Sequence, residues 1–194
     1  MKERPIIFSG PMVRAILEGR KTQTRRVVKP QHDCRYDGLA PAREYLGRKH
    51  LGSWGAYFGW AFVPCPYGQP GDQLWVREAW GYDCDRNLVF RADGELAEVN
   101  RWRPSIHMPS WASRITLEVT DVRVERVQDI SDLDALAEGI QVIGRTEVND
   151  LSRGKFRHAF RALWDSINAK RGHGWDKNPW VWVVQFRVVD AQEA

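Results

Sequence analysis

Cysteine is scarce in this chain. Cys34, Cys65 and Cys84 are its three cysteines, widely spaced and odd in number, with no CxxC pair. That pattern excludes a disulfide framework as the source of stability. Long hydrophobic runs are also absent: no stretch approaches the ~18 apolar residues of a membrane helix. Met1-Lys2-Glu3-Arg4-Pro5 lacks the apolar core of a signal peptide. The expected location is therefore the cytoplasm, with no membrane partner. His32, Cys34, His50 and Cys65 have spacings that fit no compact zinc motif, so no metal and no cofactor are expected. No internal repeat or low-complexity tract occurs. A strong excess of one charge is missing too: +4 with a pI near 9.1 is a mild bias toward anionic partners and does not establish nucleic-acid binding.

What remains is an ordinary globular composition, 43% hydrophobic and 28% charged over 194 residues, which suits one domain spanning 1–194. Ten tryptophans are many for that length and serve equally as core filler or as stacking platforms. Ile6-Ile7-Phe8 predicts a short strand. Ser9 or Gly10, with Pro11 behind it, predicts a helix ended by Gly19. Residues from about 31 to 70 show no clear period and are rich in Pro, Gly and aromatics, so they read as an irregular insertion, a candidate flap. Leu74, Val76 and Glu78 share one face of an alternating strand. If that face is the core, Glu78 is a buried carboxylate that needs a cation beside it. Leu88–Ala92, Ile115–Val124 and Trp180–Val189 predict further strands. Helices are expected over 132–138, behind the capping signal of Ser131, and over 155–168, where Phe156, Phe160, Leu163, Trp164 and Ile167 form one stripe. Several strands, few helices and no βαβ rhythm favour a mixed α+β fold, a small closed or partly closed β-barrel with peripheral helices.

The densest chemistry lies in Gly19-Arg20-Lys21-Thr22-Gln23-Thr24-Arg25-Arg26, with four cations and two hydroxyls behind a glycine. A solvated basic loop is the default for such a run; buried, it would need anionic partners. A lysine three residues from a threonine can serve as base and nucleophile if the lysine loses its charge.

Phe8-Ser9-Gly10-Pro11 through Arg26, and Gly71-Asp72-Gln73-Leu74-Trp75-Val76-Arg77-Glu78, resemble the motifs of the ASCH family. Pro104-Ser105-Ile106-His107-Met108-Pro109, Trp111-Ala112-Ser113-Arg114 and Asn178-Pro179-Trp180-Val181-Trp182 are similar to its prophage-type members. The resemblance implies a PUA-like β-barrel whose cleft handles RNA or nucleosides. The general family pattern Gly-x-Lys-x-x-Glu-x-Arg is met by Gly19, Lys21 and Arg26, but Thr24 stands at its glutamate. In that respect the chain is similar to the family's small amidohydrolases, which remove the acyl group from N4-acetylcytidine. By that resemblance Lys21, Thr24 and Glu78 are the candidate catalytic residues: Thr24 attacks the acyl carbonyl, Lys21 takes its proton, and Glu78 orients Lys21 and serves the leaving amine. Arg26 or a backbone N–H would face the oxyanion. Arg20, Arg26, Ser9, Trp75 and His107 are candidate substrate-binding residues. The expected partner is a modified cytidine nucleoside handled by a monomer, and the rival expectation is an RNA-binding or RNA-cleaving module.

A regular strand would point Lys21 and Thr24 to opposite faces, so the motif must contain a turn or bulge.

Overall fold

The computed structural model describes residues 1–33, 35–41, 53–94, 99, 101–141 and 154–191. They form ten strands and three α-helices of a mixed α+β fold. The main sheet has the order β1-β6-β9-β10-β2. Its strands are β1 (Glu3–Ile7), β2 (Gln23–Val27), β6 (Gln73–Arg77), β9 (Ile115–Arg126) and β10 (Trp180–Ala191). β1 runs parallel to β6; the other neighbours are antiparallel.

The long pair β9–β10 is the sheet's spine. Ile115, Leu117 and Val119 are buried at odd positions and Val122 and Val124 at even ones, yet all five belong to one core. A register shift between Gln185 and Phe186 of β10, close to where β9 changes phase, absorbs the slip. Without that extra residue, half of β9 would turn its valines to the wrong face.

Helix α1 (Gly10–Leu17) follows β1 and sends Val13 and Ile16 into the same core. The capping box at Ser131 starts α2 (Asp132–Ala137). Helix α3 (Lys155–Asn168) carries the expected stripe: Phe156, Phe160 and Trp164 pack with Val181 and Val183 of β10 in a second core. The sheet is thus covered on both faces.

No hydrogen-bond ladder joins β1 to β2 among the described residues, so the main sheet is an open five-stranded sheet and the closed barrel among the expectations is not formed there. A side chain spans the gap instead: Arg26 on β2 donates from Nη2 to the carbonyl of Ile7 on β1, at 2.6 Å.

The expectation of an irregular insertion at about 31–70 is corrected. β3 (Tyr36–Pro41), β4 (Trp54–Phe58) and β5 (Ala61–Pro64) form a three-stranded antiparallel sheet; residues 42–52 lie outside the described residues. Gly55, Ala56, Tyr57 and Phe58 are buried in succession, so β4 shows no period of two in sequence. A small third sheet pairs β7 (Trp80–Tyr82) with β8 (Leu88–Phe90).

Candidate functional site

The cation cluster is not a solvated loop. Lys21, Gln23, Thr24 and Arg25 are all buried. Two helix ends place them. Gly19, at φ 72°, ends α1, and the amides of Arg20 and Lys21 both donate to the carbonyl of Ala15 at 2.9 Å. Gly139, at φ 84°, follows the end of α2 and lies against Ala15 and Lys21. Thr22 donates to the carbonyl of Ala137, and Lys21 forms an antiparallel bridge with Glu138. The strand proper starts only at Gln23, so the expected irregularity falls between Lys21 and Thr24.

From there β2 alternates. Thr24 and Arg26 pair in register with Val184 and Trp182, which belong to the main core. Arg25 pairs with Val183 of the helix-side core. Arg25 is a structural cation: its guanidinium meets Glu125, Asp134 and Glu138 and lies 5.8 Å from the Phe160 ring. Lys21 Nζ donates to Glu138 Oε2 at 2.8 Å and to the Glu138 carbonyl at 2.9 Å. With Arg123 bound to Glu125 and Asp134, three cations meet three carboxylates, the balance that burial of charge demands. Burial holds the Lys21 amine below the ordinary lysine range. Glu138 pulls it back up, while Arg26 and Arg25 push it further down.

Thr24, Arg26 and Glu138 line a cleft of about 470 Å³ between α3, Met12 and the 64–67 turn. Tyr67, Trp164 and Trp182 supply aromatic walls, Lys29 and Arg171 supply further positive charge, and His173 lies beside them. Glu138 is the cleft's carboxylate. Arg26 stacks over Phe8 at 5.1 Å, and its Nε is buried with no acceptor among the described residues.

Glu78 is placed differently from expectation. It is buried on the face of Leu74 and Val76, as the alternation requires, and it has the cation that burial demands. That cation is Arg114, which donates from Nε to Oε1 at 2.9 Å and from Nη2 to Oε2 at 3.3 Å; Arg114 also holds Asp93. The expectation that Glu78 orients Lys21 is therefore corrected: the carboxylate on Lys21 is that of Glu138. The register explains it. β6 pairs antiparallel with β9 from Gln73↔Glu118 to Trp75↔Thr116, so Glu78 emerges beside Arg114, whereas β2 lies across β9 and β10. Burial raises the Glu78 carboxyl above the usual range, with Arg114 opposing it.

The remaining candidates scatter. Arg20 is spent on Glu18 and on the carbonyl of Gly139. Ser9 is exposed ahead of α1 and makes no side-chain cap. Trp75 lies under Arg77, 4.7 Å from its guanidinium carbon, and does not line the cleft. His107 lines a separate cavity with Trp80 and Arg103. Sequence reasoning missed Glu138, Lys29, Arg171 and His173. Only Glu138 carried a signal, as the last residue of the expected helix before a glycine stop.

No family model matches the chain, and no curated protein matches it. Among solved structures it is similar to an ASCH domain from Lactobacillus crispatus, at 13% identity and a TM-score of 0.43, over 97% of this chain and 80% of that one. It is also similar to a DUF984-family protein from Enterococcus faecalis, at 10% identity and a TM-score of 0.46, over 100% of this chain and 84% of that one.

Proposed function

We propose that the chain is an ASCH-type amidohydrolase that removes the N4-acyl group from N4-acylated cytosine nucleosides. The observation that carries this reading is Lys21: a buried amine below its ordinary pKa range, fixed by a cleft-lining carboxylate, three residues before a cleft-lining threonine. A depressed lysine is a base suited to activating a hydroxyl.

In the proposed sequence, Thr24 Oγ1 attacks the acyl carbon while Lys21 takes the hydroxyl proton. The N–H of Arg26 Nε, which has no acceptor among the described residues, is the donor for the developing oxyanion. Glu138, already bonded to Lys21, passes the proton to N4 as the amide C–N bond breaks and cytidine leaves. Water then attacks the acyl-threonine ester, returning Thr24 and a carboxylic acid. The cleft volume falls within the ~300–1,000 Å³ of small-molecule sites, and its aromatic walls suit a base.

Incubation of the purified protein with N4-acetylcytidine, with release of cytidine followed by chromatography, tests the reading. Thr24→Val and Lys21→Ala should each lower turnover by about 10²-fold or more. Absence of cytidine release, or wild-type turnover in a folded Thr24→Val variant, refutes it.

One observation favours the rival. Lys29 and Arg171 give the cleft more positive charge than an uncharged nucleoside needs. If the cleft binds RNA instead, its affinity for a short single strand will fall steeply with salt and no nucleoside will turn over.

A further inference from the structure

A second cavity of about 570 Å³, sharing no lining residue with the Thr24 cleft, is formed by Trp80, Tyr82, Arg101, Arg103, Pro104 and His107. We infer that this cavity is a binding site for a nucleotide unit, holding its phosphate on Arg101, Arg103 and His107 and its base against Trp111.

Four observations carry the inference. First, the lining holds three basic side chains and no carboxylate, and no ion pair neutralises Arg101, Arg103 or His107 among the described residues. By contrast, the cations of the Lys21 cluster are matched by carboxylates. Second, the Arg103 guanidinium is already oriented. It stacks 4.7 Å from the Trp80 ring and 5.4 Å from the Tyr82 ring, and its backbone is pinned by paired hydrogen bonds to Trp80. A planar fork held in this way has little freedom left to lose on meeting a phosphate. Third, Trp80 is 2% exposed and its indole N–H is buried with no acceptor among the described residues. Such an orphaned donor is rare in a folded protein and calls for a partner oxygen. Fourth, Trp111 is 68% exposed while its ring sits edge-on to Trp80 at 6.0 Å, which offers a base a stacking surface beside the cations. The charge alone would suit an acidic peptide; the exposed aromatic beside it favours a base.

The shared chemistry, a phosphate next to a base, comes either from a free nucleotide or from a single strand. The test uses the full chain and a fluorescein-labelled single-stranded RNA hexamer followed by anisotropy, with unlabelled AMP, adenosine and a glutamate-rich peptide as competitors. The exposed change Arg101→Glu should raise the hexamer Kd about tenfold or more and flatten the salt slope, which falls by about 0.7 per lost phosphate contact on a single strand. Trp111→Ala should weaken binding without changing that slope. Arg101→Glu should leave turnover of N4-acetylcytidine unchanged, so loss of the amidohydrolase reading does not touch this one. AMP competing as well as unlabelled hexamer assigns the site to a free nucleotide; a clear advantage of the hexamer assigns it to a strand. Both outcomes support the site. It is overturned if Arg101→Glu and Trp111→Ala both leave the Kd unchanged, if adenosine competes as well as AMP, or if the acidic peptide displaces the hexamer more effectively than AMP does.

Discussion

Glu138→Gln is the most revealing single change in this molecule. It strips the carboxylate from an ammonium whose side chain is 1% exposed, and breaking one member of a buried pair costs about 3–5 kcal/mol. The structure also says which partner matters more. Lys21→Met leaves Glu138 still accepting from Arg25 Nη1 at 3.3 Å, so its charge keeps a partner and the cost should fall below that range. In Glu138→Gln, Lys21 keeps a backbone carbonyl but faces Arg25 and Arg26 without a carboxylate to offset them. The pH dependence separates this account from simple loss of packing. The folded pKa of Lys21 lies below the unfolded value, so between the two the unfolded chain holds the extra proton and stability rises with pH. Glu138→Gln lowers the folded value further. Its penalty should therefore shrink as the solution moves from about pH 7 to about pH 9.5, where Lys21 is increasingly neutral in both proteins. Urea unfolding followed by circular dichroism at the two pH values reads both quantities. A Lys21→Met variant as destabilised as Glu138→Gln, or a Glu138→Gln penalty that grows with pH, would refute the reasoning.

Other changes test neighbouring parts of the structure. Gly139→Ala puts a Cβ 2.9 Å from Ala15 Cβ and 3.1 Å from Lys21 Cβ at a positive φ, and should cost about 1–3 kcal/mol by thermal unfolding; an unchanged Tm refutes the close packing of the two helix ends. Glu138→Gln should lower turnover of N4-acetylcytidine about 10²-fold while Glu78→Gln lowers it less than about tenfold, and the reverse order would restore Glu78 as the working carboxylate. Arg114→Met leaves Glu78 and Asp93 together without their cation and should cost about 3–5 kcal/mol near neutrality. Because burial already raises the folded pKa of Glu78, stability from this group falls as pH rises from the unfolded value through the folded one. The Arg114→Met deficit should accordingly shrink in acid, and a deficit that deepens on acidification contradicts the assignment. Trp164→Ala empties the centre of the helix-side core and should cost about 3–5 kcal/mol in urea unfolding.

The strands and helices with strong periodicity were legible because one face of each is buried. The α3 stripe, the Ser131 cap and the alternation of Leu74, Val76 and Glu78 all reappear in the structure. β4 was illegible because it is buried on both faces and so loses its period of two. The seam between β1 and β2 is a property of strand order, which local pattern does not encode. The site divides in the same way. That Lys21 and Glu78 each need an opposite charge follows from their neighbours in sequence. Which charge each finds depends on the antiparallel register of β6 with β9 and on the meeting of two helix ends, both of them long-range. Arg25 shows the converse: in sequence it looks like Arg26, yet one step along an alternating strand sends it to the opposite face and commits it to three carboxylates.

The pairing of β2 with β10 sets a timetable for the molecule's assembly. Gln31, just past β2, bonds the backbone of Trp180 across 149 residues of chain. During synthesis at ~5–20 residues per second, β2 therefore waits roughly 7–30 s for the strand that covers it. Over that interval Arg25, Thr24 and Arg26 have no sheet to belong to, and their edge is open to any other chain nearby. The charges that end up matched inside the protein begin as a like-charged edge that repels its own copies. Arg25 and Arg26, which the folded cleft organises, would thus also guard the nascent chain against association, before the cleft exists.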